Sequence, residues 1–137
     1  MTKPSPIALV VCDALYQDPS GKAALVGLFN RLVATKFPAT HPQMCVYASL
    51  TEVRTGTKFR LVIQHAENEK RVAELFAEPP PEATRNPTTI LDLRFIFQAV
   101  TFPEPGRYFI QFWADDNLLL QRPFDVVLMQ HAGGSGQ

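Results

Sequence analysis

The chain has 137 residues, 46% of them hydrophobic and 19% charged, with 13 basic and 13 acidic side chains and no formal net charge. A single soluble domain of this size buries a core without metal or disulfide support, since chains near 150 residues remove roughly 70% of their unfolded surface from water. Balanced charge, with the basic residues scattered singly, gives no field to draw in a phosphate backbone, so nucleic acid is excluded as an expected partner.

Apolar residues recur with period two, and turn clusters punctuate them at short spacing, the pattern of an all-β sandwich or barrel. The first strand is read at residues 7–15, a nearly continuous apolar run broken at Asp13. That run is too short for a signal sequence or a membrane span, so the expected compartment is the cytoplasm, with no membrane partner. Asp18, Pro19 and Gly21 make the next segment a turn. A long second strand follows over residues 23–37, with Gly27 and Asn30 marking a bend or bulge. Pro38 and Pro42 each remove a ladder donor, so residues 37–42 read as a crossover loop.

Strands are then expected at residues 44–52 and 57–65; in the second, Phe59, Leu61 and Ile63 alternate with Arg60, Val62 and Gln64. Residues 67–78 fit both a helical stripe and an alternation; the short 66–69 loop before them decides for a strand returning beside the previous one. Residues 79–87 are polar and proline-rich and read as a mobile connection. Strands at 88–102, 107–114 and 118–128 complete about eight, separated by turns at Pro103–Gly106 and Asp115–Asn117. Leu91, Leu93, Phe95 and Phe97 are expected to face inward. On the next strand either Tyr108, Ile110 and Phe112 or Phe109 and Trp113 do so. The Pro105-Gly106 corner is expected to need a positive φ. The reading is a two-sheet antiparallel β-sandwich, immunoglobulin-like or jelly-roll-like, as one domain over residues 1–130 with a flexible glycine-rich tail at 131–137.

Chemistry-bearing residues are few. Ser20-Gly21-Lys22 lacks the upstream glycine and the following Ser or Thr of a phosphate loop, and reads as a β-turn. Asp13, Asp18, Asp115 and Asp116 would supply calcium ligands only if two end loops met, and the Asp115-Asp116 pair equally suits a hairpin turn. His41, His65 and His131 have no metal-ligand spacing, so no metal and no cofactor is expected. Cys45 follows His41 by four residues, but across a Pro turn into an apolar strand that hides the thiol. Cys12 and Cys45 both read as reduced, buried, structural thiols. Asn86-Pro87-Thr88 is no glycosylation acceptor because of its proline, and Pro79-Pro80-Pro81 reads as a loop terminator. Phe109 and Trp113 share one face of their strand; if that face is not core, it packs under another element or offers an aromatic platform to a partner.

Cys12-Asp13, Asp18-Pro19-Ser20-Gly21-Lys22, Leu25 through Asn30, Phe37-Pro38, His41-Pro42 and Val46-Tyr47 together resemble a family of small bacterial proteins of unknown function. So do Phe102 through Tyr108 and Pro123-Phe124-Asp125-Val126. The resemblance implies a β-sandwich and a bacterial source, and carries no activity or site. The functional expectation is a non-enzymatic binding or assembly module whose partner is a protein, its own copy included, engaged through a strand edge or the face bearing Phe109 and Trp113. The alternative is a small-molecule or carbohydrate binder, or a hydrolase, using loop aspartates at one end of the sandwich.

Overall fold

The computed structural model describes residues 3–129. Its strands are β1 (Ser5–Gln17), β2 (Ala23–Leu28), β3 (Arg31–Ala34), β4 (Ala39–Thr51), β5 (Phe59–His65), β6 (Arg71–Ala77), β7 (Leu91–Phe102), β8 (Gly106–Ala114) and β9 (Asn117–Leu128). They form a four-stranded sheet in the order β2-β1-β4-β7 and a five-stranded sheet in the order β3-β9-β8-β5-β6. The all-β, two-sheet architecture expected from alternation is therefore what folds. The tail at 131–137 and His131 lie outside the described residues.

Alternation decides which side chains meet between the sheets. Met44, Val46, Ala48 and Leu50 of β4 and Leu91, Leu93, Phe95 and Phe97 of β7 face Phe59, Leu61 and Ile63 of β5 and Tyr108, Ile110 and Phe112 of β8. The open choice on β8 thus falls to Tyr108, Ile110 and Phe112. Phe95 reaches across to Phe112 edge-on, with ring centroids 6.2 Å apart, while Phe102 lies 5.1 Å from Tyr108. Each such buried ring contributes roughly 1.5–3 kcal/mol, against about 0–1 kcal/mol for an exposed ion pair, so the aromatic layer holds the sheets together.

Three expectations are corrected. The long second strand is two strands in different sheets: β2 pairs antiparallel with β1, and β3 pairs parallel with β9, so the sandwich is not wholly antiparallel. The chain crosses at Phe29-Asn30, pinned by a bond from the Phe29 N–H to the Val11 carbonyl (3.3 Å) and from the Asp125 N–H to the Asn30 carbonyl (3.2 Å). Arg122 of β9 clamps the same crossing, donating to the Asn30 Oδ1 (2.6 Å) and to the Leu9 carbonyl on β1 (3.1 Å). Second, residues 39–42 belong to β4 rather than to a loop. The paired register steps from His41 opposite Val100 to Gln43 opposite Gln98, so Pro42 takes a position where no ladder donor is used. Third, the proline-rich connection contains one helical turn, α1 (Pro81–Thr84), whose Ala83 is buried in the core. The Pro87 carbonyl next to it accepts from the Glu52 N–H (2.8 Å), which ties the segment to the sheet. Among the described residues no helix is long and apolar enough to cross a membrane.

Candidate functional site

Each sheet has an outer face, and the two differ in chemistry. On the five-stranded sheet, Phe109, Gln111 and Trp113 alternate with the core residues of β8 and point outward, half-buried or buried within their own face. The Arg60 guanidinium stands 4.8 Å over the Trp113 ring and is itself 3.5 Å from Glu74. The Trp113 indole N–H donates to Gln111 (3.2 Å), whose amide donates to Gln121 (2.7 Å). Phe109 and Trp113 are therefore brought onto one face, as expected, but Trp113 sits in a network of polar groups that satisfies its N–H and stacks a cation on its ring.

The outer face of the four-stranded sheet is different. One row crosses all four strands: Leu28 is opposite Cys12, Cys12 opposite Cys45, and Cys45 opposite Ile96. Cys12 and Cys45 are fully buried, although both alternate with the inward-facing Val11, Met44 and Val46 and so lie on the outer side. Their register partners on the edge strands are open, Leu28 at 65% and Ile96 at 47% exposed, as are Val26 (51%) and Tyr16 (60%) further along the same face. Along this row the small, buried cysteines of the central strands lie between the large, open Leu28 and Ile96 of the edge strands, a shallow apolar trough bordered on β7 by Arg94 and Asp92. Its polar end is closed by Tyr47, whose hydroxyl donates to Asp92 (2.7 Å); burial, with that hydrogen bond second, pushes the phenol up.

The edges also differ. β6 carries Arg71 and Glu74 in ion pairs, β7 carries Asp92 and Arg94 with a positive φ at Ala99, and β3 is only four residues long with Arg31 at its start. β2, Ala-Ala-Leu-Val-Gly-Leu, has no charge and no proline. Charged residues, prolines, shortness and irregular backbone are the usual guards of a sheet edge; β2 has neither of the first two, and its one irregularity is Gly27, with φ +75°.

A family model described as a family of unknown function, DUF6941, matches residues 7–127. The chain belongs to this family. The DUF6941 match begins inside β1 and ends inside β9, so it takes in both sheets, the crossing and both outer faces. No curated protein matches the chain. Among solved structures, an immunoglobulin-like protein from Pseudomonas aeruginosa is similar, at 10% identity and a TM-score of 0.46, covering 91% of this chain and 97% of its own.

The aspartates do not converge in the DUF6941 sandwich. Asp115 lines a depression of about 230 Å³ with Lys3 and Pro4, just before β1, whereas Asp18 follows the end of that strand. Thirteen extended residues separate those two points, a span on the order of 40 Å. Asp18 accepts from the Ser20 hydroxyl (2.8 Å) and from the Lys22 N–H (2.8 Å), which closes its own turn. Asp115 has φ +52° and accepts from the Lys58 N–H at 3.1 Å, a hairpin role. The Ser20 hydroxyl holds the Asp18 carboxyl below its ordinary range, the direction of a stabilised charge and not of a catalytic acid. No three His, Cys, Asp or Glu side chains group as metal ligands among the described residues.

His41 and Cys45 part company as well. The His41 ring packs 5.6 Å from Phe29, which packs on Phe124 inside the sandwich, while Cys45 lies on the outer side. What sequence reasoning missed is the apolar trough itself. Alternation already turns Ile96 away from Phe95 and Phe97, but only the register reveals that Ile96 and Leu28 flank two cysteines on an open face.

Proposed function

We propose that this domain is a non-enzymatic assembly module that pairs with a second copy of itself through the β2 edge and the adjoining apolar trough. The single observation behind the reading is β2: an uncharged edge strand whose Val26 and Leu28 are more than half exposed. An unpaired strand edge needs another strand, and its own antiparallel copy is self-complementary about a twofold axis. A neutral strand opposes no like charge in that pairing, and the zero net charge of the chain removes long-range repulsion between copies. The trough is continuous with this edge through the Leu28–Cys12–Cys45–Ile96 row, so pairing at β2 shields its most open members.

Light scattering across a concentration series tests the reading. The expected result is a mass rising from one chain to two by high micromolar concentration, with Val26→Lys holding the chain monomeric at an unchanged circular dichroism spectrum. A strictly monomeric wild-type chain would overturn it.

A further inference from the structure

Cys12 on β1 and Cys45 on β4 are direct register partners, and their side chains share the outer side of the sheet. Directly opposed residues of antiparallel strands have Cα atoms about 4.5 or 5.5 Å apart, and a disulfide accommodates roughly 4.4–6.8 Å. Both thiols are free and buried. Neither is strongly committed elsewhere: the Cys12 Sγ lies 3.4 Å from the Ala14 carbonyl and the Cys45 Sγ 3.6 Å from the Asp13 carbonyl, contacts of a weak donor. Burial is the main influence that pushes both thiols up, and for Cys12 the nearby Cys45 is the next.

We infer that Cys12 and Cys45 are a pre-aligned dithiol that closes to a cross-strand disulfide without displacing β1 or β4. The oxidant is a small disulfide of the glutathione class. Cys12 reacts first, because its outer neighbour Leu28 ends the six-residue edge strand β2, whereas the strand beyond Cys45 is the twelve-residue β7. As that cover lifts, the Cys12 thiol loses its proton and the thiolate attacks one sulfur of the oxidant. The oxidant's S–S bond breaks, a mixed disulfide forms at Cys12, and one thiol leaves with the proton. Cys45, deprotonated in turn, attacks the Cys12 sulfur; the second thiol leaves with the second proton, and the Cys12–Cys45 bond is made. The protein gives up two hydrogens and two electrons, and the oxidant takes both. Because burial keeps the thiols protonated, closure is slow and gated by opening of the edge. The inference rests on register and stands apart from the self-pairing reading.

The test is incubation of the folded wild-type chain with oxidised glutathione, followed by acid quench and intact mass measurement. The expected product is a monomer lighter by two hydrogens, without bound glutathione, that melts about 5 °C or more above the reduced chain and reverts with dithiothreitol. Cys45→Ala should stop at a single glutathione adduct on Cys12. A wild-type chain that keeps both thiols, adds glutathione at both, or cross-links between molecules would overturn the inference. So would a disulfide that lowers the melting temperature, since strands already aligned would not be strained by it.

Discussion

The Gly106 backbone lies against the imidazole of His65, so close that a Cβ at position 106 would stand 3.0 Å from the His65 Nε2. Gly106 also has φ +135°, a conformation that side chains strain to adopt. The His65 ring has little room to give way: its Nδ1 accepts from the Glu67 N–H (3.2 Å), and it makes a T-shaped contact with the Tyr108 ring, centroids 4.9 Å apart. Gly106→Val should therefore destabilise the domain by about 2 kcal/mol or more, combining backbone strain with overpacking. Lys22→Ala, at an exposed turn, should stay within about 0.5 kcal/mol of wild type. Urea unfolding of the two variants checks the ranking, and equal midpoints would count against this corner.

A second glycine makes a sharper case, because its obstacle is a removable side chain. Gly27, φ +75°, sits where an added Cβ would come within 2.6 Å of the Asp13 Oδ2 and 3.1 Å of the Asp13 Cβ. Gly27→Ala should cost about 2 kcal/mol, of which roughly 1 kcal/mol is left-handed backbone strain. In an Asp13→Ala background the carboxylate clash is gone and the strain stays, so the same substitution should cost measurably less but not nothing. A double-mutant cycle reads the difference. Strict additivity would mean that Asp13 yields freely.

These two glycines show where the sequence was legible. Alternation on β5, β7 and β8 was enough to place the core, because each of these strands has one buried face and period two leaves a single solution. The Pro105-Gly106 corner was readable because turn chemistry is local. The switch between β2 and β3 was not: residues on both sides of Asn30 are β-formers, and what parts them is Arg122 and Asp125, some ninety residues downstream. The same holds for the candidate site. Phe109 and Trp113 announced themselves as aromatics on one strand, whereas Cys12, Cys45, Leu28 and Ile96 become a row only once the pairing of four strands is known. The neutrality of β2 was in plain view, but it gains meaning only because β2 is an edge.

Acid should weaken the fold at one identifiable pair. Arg107 donates to both oxygens of Asp125 across β8 and β9, at 2.8 and 3.1 Å. That hydrogen bonding, with the Arg107 and Arg31 charges behind it, holds the Asp125 carboxyl below its ordinary range. A carboxyl whose folded value lies below the unfolded one, about 3.9, stabilises the native state fully above that pH and loses the contribution as pH falls through the folded value. The pair is substantially exposed, so the effect is small and screened by salt. The stability gap between wild type and Asp125→Asn should be constant between pH 5 and pH 7 and should shrink below about pH 4. Urea midpoints across that range measure it. A gap that widens in acid would mean that Asp125 gains nothing from Arg107.

The two outer faces make opposite predictions for association, and a matched pair of surface variants separates them. Trp113 has its N–H satisfied by Gln111 and its ring covered by Arg60, so binding there would have to displace a cation and break a polar network. Val26 has neither obstacle, standing half exposed on an uncharged edge. Trp113→Ser should lower stability, since a large half-buried ring is lost, while leaving the concentration dependence of the mass unchanged at temperatures where the variant is folded. Val26→Lys should do the reverse: stability within about 0.5 kcal/mol of wild type, and self-association lost, because each copy would bring a like charge to an edge that pairs with itself. The check is light scattering combined with urea unfolding on both proteins. If Trp113→Ser abolishes association and Val26→Lys does not, the contact lies on the five-stranded sheet and the β2 edge is free.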